Sequence, residues 1–74
     1  MANPIQERLA EVLLEKIRND QYPSATHMSM LEAFASDQVM GEYLAHLMQR
    51  IQEEPHPSIS MMQRVQNIAA RYGG

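Results

Sequence analysis

The 74-residue chain contains no cysteine, which excludes disulfides and thiolate metal sites and gives no sign of an oxidising compartment. Only three glycines are present and two of them are the last two residues, so no glycine-rich loop exists to cradle a phosphate. No stretch approaches the ~20 consecutive apolar residues of a membrane span. The opening MANPIQERLAE places charges where a signal peptide needs its apolar run. Basic residues are few, six Lys and Arg against nine Asp and Glu, and the net charge of −3 argues against broad attraction to nucleic acid or anionic membranes. At this length the chain supplies one domain at most, near the lower limit for a core without staples.

The most informative positive feature is an internal repeat. Residues 13–35 align with residues 47–69 at a constant offset of 34, without a gap. Leu13/Leu47, Ile17/Ile51, Pro23/Pro57, Ser24/Ser58, Met28/Met62 and Ala35/Ala69 are identical pairs. A period of this length corresponds to one helix-turn-helix unit per repeat. The predicted fold is therefore all-α, a single domain over 1–74 with four helices in two pseudo-symmetric hairpins. Repeat 1 covers about 3–35 and repeat 2 about 37–72.

Local signals mark each helix. Asn3 is expected to cap helix 1, with Pro4 in the first helical position, where its missing N–H costs nothing. Ile5, Leu9, Val12, Leu13 and Ile17 then recur at spacings of three and four as the inward stripe. Glu7, Glu11 and Glu15 lie on the opposite, solvated side. Pro23 blocks continuation of the first helix and Ser24 caps helix 2, which runs to Ala35. Ser36 or Asp37 caps helix 3, reaching about Gln52, with Val39, Met40, Tyr43, Leu44, Leu47, Met48 and Ile51 inward. Gly41 inside that helix implies close approach by a neighbour, since it costs ~1 kcal/mol relative to Ala. Pro55-His56-Pro57 forms the second corner and Ser58 caps helix 4. Its stripe is Met61, Met62, Val65, Ile68, Ala69 and Tyr72. The ring ahead of each corner proline, Tyr22 or His56, is expected to fold over the base of its hairpin.

Catalytic and metal chemistry find little footing. His27, His46 and His56 lack the close spacings that put two imidazoles on one metal. Ser24 and Ser58 are accounted for as helix caps, and no hydroxyl sits in a nucleophile elbow. No cofactor is expected, and the chain is read as a non-enzyme.

Apolar surplus points instead to association. Leu14 and its repeat equivalent Met48 each widen the apolar arc of their helix. Met30 and Met61 add apolar surface to the second helices. With only two hairpins, Leu14, Met30, Met48 and Met61 become the expected contact residues for a second copy of the chain or a larger protein assembly. The alternative is a small DNA-binding regulator. Arg64, Asn67 and Arg71 share one side of helix 4 and are of the types that read base edges, although the acidic balance of the chain opposes it.

The corners carry a resemblance. Asp20-Gln21-Tyr22-Pro23-Ser24 with Met28, and Glu54-Pro55-His56-Pro57-Ser58 with Met62, resemble small all-helical proteins of actinobacterial phages. The second copy departs from the pattern at Pro55 and His56. The resemblance implies a virion-associated or assembly role, such as a minor capsid or decoration protein, and a location in the cytoplasm or the virion. It carries over no site residue. A tetratricopeptide unit also spans 34 residues, but its Trp, Gly and Tyr signature positions are absent.

Overall fold

The computed structural model describes residues 3–56 and 58–72, the last without its side chain. Among these residues the chain is all-helical and without strands: α1 (Pro4–Asn19), α2 (Ala25–Phe34), α3 (Asp37–Glu53) and α4 (Ile59–Tyr72). No helix is long and apolar enough to cross a membrane.

Every helix start is set by a side-chain cap of the expected kind. The first N–H groups of a helix lack partners within it, and a short polar side chain satisfies one or two of them. Asn3 Oδ1 accepts from the Ile5 and Gln6 amides at 2.9 and 3.4 Å, with Pro4 opening the helix. Ser24 Oγ accepts from the Thr26 and His27 amides. Ser36, rather than Asp37, caps α3 through the Val39 amide at 3.3 Å. Ser58 caps α4 through the Met61 amide at 3.2 Å. Asp20 leaves α1 with extended backbone and accepts from the Tyr22 amide, which turns the chain into the first corner. Pro57 of the second corner, the Tyr72 side chain and Gly73-Gly74 lie outside the described residues.

The helix boundaries repeat at the 34-residue offset: α1 ends at Asn19 and α3 at Glu53, while α2 begins at Ala25 and α4 at Ile59. Burial does not repeat as closely. Leu14 and Met28 are buried, whereas their counterparts Met48 and Met62 are exposed. The pseudo-symmetry of two hairpins is therefore not established at the level of packing. The chain groups into two compact units, 1–43 and 44–74, with the division inside α3 rather than between the repeats.

The first unit holds most of the core. Ala10, Leu13, Leu14 and Ile17 face inward from α1, Met28 and Leu31 from α2, and Val39, Met40 and Tyr43 from α3. The α1 set has the spacing of one helix face, three, four and seven residues apart. It differs from the expected stripe: Leu13 and Ile17 are inside, but Ile5, Leu9 and Val12 are exposed. The small Ala10 belongs to the face that packs against the neighbouring helices, and its presence there lets backbones approach. Tyr43 has no exposed surface, and its hydroxyl donates to the Glu32 carboxylate, joining α3 to α2.

In the second unit Leu47 and Ile68 are fully enclosed, and Met61, Arg64 and Val65 are half-buried on the same side of α4 as Ile68. Met62 and Ala69, expected inside, face outward.

Two further expectations are corrected. A Cβ built on Gly41 would meet nothing within 4 Å, so no neighbour presses on that glycine. Tyr22 is 81% exposed and His56 is exposed, so neither ring covers the base of a hairpin.

Gly41→Ala is expected to raise stability by about 1 kcal/mol, because alanine recovers helix propensity at a site with room for its methyl group. In thermal unfolding that gain corresponds to an increase of roughly 4–8 °C for a domain of this size. Tyr43→Phe keeps the ring and removes the donor to Glu32, and is expected to cost about 1.5 kcal/mol in urea unfolding. An unchanged midpoint would show that the hydroxyl contributes nothing.

Candidate interaction surface

The four residues expected to make contacts separate by burial. Leu14 is 4% exposed and belongs to the core of the first unit, so it is withdrawn from the contact set. It sits four residues from Ala10 and three from Ile17, on the face α1 turns inward, and cannot reach a partner without unpacking. Met61 is half-buried on the inward side of α4. Met30 on α2 and Met48 on α3 remain open, at 42% and 41% exposure. Both side chains are flexible thioethers, suited to an adaptable contact.

Sequence reasoning missed other apolar side chains that stay outside. Ile5, Leu9 and Val12 form an exposed row on α1, and Ile59 and Met62 are exposed on α4. The signal was present in the spacing. Helix 1 carries apolar residues at 5, 9, 10, 12, 13, 14 and 17, too many for one face. These resolve into two stripes about a third of a turn apart at 100° per residue. One is 10, 13, 14 and 17; the other is 5, 9 and 12.

Charged side chains frame the α1 row. A groove of about 900 Å³ runs beside Val12, bordered by Arg8, Glu11, Glu15, Lys16, Asn19, Asp20 and His27. Arg8 and Glu11 form an ion pair at 3.3 Å, with both side chains well exposed. Glu15 accepts from Asn19 Nδ2 at 3.2 Å. Exposed pairs of this sort hold their partners by only ~0.2–1 kcal/mol, so these charges can be re-paired by a docking surface.

The acidic row of α1 does not lie on open surface alone. Glu7, Glu11 and Glu15 border a cleft of about 320 Å³ with Leu14 and Arg18, closed on its far side by Gln38, Val39 and Glu42 of α3. Among the described residues, no group of three His, Asp or Glu is arranged to hold a metal ion. His27 is half-buried on α2, and His56 is exposed in the second corner. His46 is half-buried on α3, where its Nε2 accepts from Arg50 Nε at 2.7 Å.

The residues of the DNA-binding alternative are not presented together. Asn67 and Arg71 are exposed, but Arg64 is half-buried on the inward side of α4. Reading a base edge requires the whole guanidinium to reach into a groove, and only Asn67 and Arg71 are free of the protein interior.

Because Leu14 is enclosed, Leu14→Glu is expected to unfold the first unit, with a loss of at least 3 kcal/mol for an unpaired buried carboxylate (order of magnitude, about 3–5). Met48→Glu is expected to leave stability within about 0.5 kcal/mol of wild type. Circular dichroism with urea unfolding compares the two; equal losses would place Met48 in the core. The chain matches no protein-family model, no curated protein and no solved structure.

Proposed function

We propose that the protein is a non-catalytic helical module that docks on other protein chains through outward apolar side chains. The observation that carries this reading is the exposure of Met30 and Met48, together with Ile5, Leu9, Val12, Ile59 and Met62, large apolar side chains on the outward faces of their helices. Isolated apolar residues on a surface are ordinary. Here they are large, they recur on all four helices, and the chain is only 74 residues long. Burying them removes area from water at roughly 25 cal/mol per Å², a gain that the chain alone does not realise.

The setting we infer is a larger assembly, with a minor capsid or decoration role in a phage particle as the specific form. Support for that form comes from the two Pro-Ser corners and their likeness to small phage helical proteins. Support for an origin by duplication comes from the shared offset of the helix boundaries and from the serine caps at both corners. The first repeat then brings Met30 to the outside of its helices, and the second brings Met48 and Met62.

A photo-activated cross-linking residue placed at Met30 or Met48, in the native host, is expected to give a covalent adduct with protein in high yield. The same residue at exposed Asn67, on α4 away from Ile59 and Met62, serves as the control and is expected to give about tenfold less, since it lies outside the apolar contact set. Equal yields at all three positions, or none at any, would remove the proposal.

A further inference from the structure

The α1 row identifies a partner of its own. Ile5 is 79% exposed, Leu9 40% and Val12 37%, spaced by four and then three residues along a 16-residue helix. Lys16 continues the row one turn later, with an aliphatic stem able to lie on an apolar neighbour. Along one edge of the row stand Arg8 and Glu15, of opposite charge and seven residues apart, so they occupy the same side of the helix two turns from each other. Arg8 is 77% exposed at its side chain.

This pattern complements itself in one direction only. We propose that α1 pairs with α1 of a second copy, antiparallel, about a two-fold axis near the middle of the row; the pairing rests on the protein-docking reading above and names its occupant. In that arrangement Leu9 of one copy meets Val12 of the other, and Ile5 meets the stem of Lys16. Arg8 then stands opposite Glu15, and the symmetry makes each contact twice. A parallel pair sets every charge level with its own duplicate and forms no such complement. Antiparallel helices also align their macrodipoles favourably. The groove bordered by Arg8, Glu11, Glu15 and Lys16 supplies both signs of charge beside the apolar row, as a partner with the reversed order requires. Three apolar side chains per copy bury less than the area of a standard stable interface, so the pair is reversible and concentration-dependent.

Sedimentation of the wild-type chain is expected to show mass rising from one chain toward two between about 10 µM and 1 mM. Arg8→Glu and Glu15→Arg, each alone, place like charges at both symmetry-related contacts along that edge and are expected to weaken self-association about tenfold. An equimolar mixture of the two variants is expected to recover pairing at wild-type strength, because each chain then meets its complement. The absence of cysteine permits a second measurement that does not depend on charge. Leu9→Cys mixed with Val12→Cys is expected to oxidise to a cross-linked pair faster than either variant alone.

A wild-type chain that stays single through 1 mM would overturn the pairing, while the cross-linking yields at Met30 and Met48 still decide the wider reading. Dimers untouched by the charge variants, or faster oxidation of one cysteine variant alone, would overturn the antiparallel α1 contact and leave self-association through another face.

Discussion

Enclosure of Tyr43 is the constraint around which the first unit is organised. A tyrosine ring with no exposed surface needs a partner for its hydroxyl, because a buried donor without one costs about 1–3 kcal/mol. Glu32 of α2 supplies it, and Met28 and Leu31 of the same helix join the apolar packing. The polar contact and the apolar contacts thus agree on one position for the start of α3. Val39 and Met40 are brought inward by the same geometry, and with them the far wall of the cleft that faces Glu7, Glu11 and Glu15.

That choice has a consequence for α1. A helix meeting neighbours on one side can bury about one stripe of its surface, and α1 carries two. The stripe with Ala10, Leu13, Leu14 and Ile17 goes inside. It offers a small residue for close approach and three aliphatic ones for area. The stripe with Ile5, Leu9 and Val12 is left in water, bordered by Arg8, Glu15 and Lys16. An apolar row edged by charges of both signs is the feature on which the proposed helix pairing rests. The link from the core to the exposed row therefore runs through competition between two faces of one helix.

Helix ends and helix faces differed in how far they could be read from residues alone. Asn3, Ser24, Ser36 and Ser58 each cap the helix expected of them, because a cap is a contact between residues two or three apart. Met30 was also legible as an outward residue, whereas Met48, placed both in the inward stripe of α3 and among the contact residues, was settled as outward only by the packing. Leu14, Val12 and Met62 were not legible. Each lies at the border of an apolar arc wider than one contact face, and its environment depends on a helix distant in sequence. Gly41 misled for a related reason: a glycine in a helix signals lost stability, but whether a neighbour approaches it is a fact about other helices.

The amino-acid order by itself determined that the described residues form four helices with capped starts at fixed places, since those outcomes rest on hydrogen bonds and proline sterics within a few residues. Tertiary structure alone decided which apolar stripe of α1 and α4 turned inward. Apolar side chains gain equally from any cover, so periodicity marks the candidates without ranking them. The ranking came from the shape of the neighbouring helices, which lie far away in sequence.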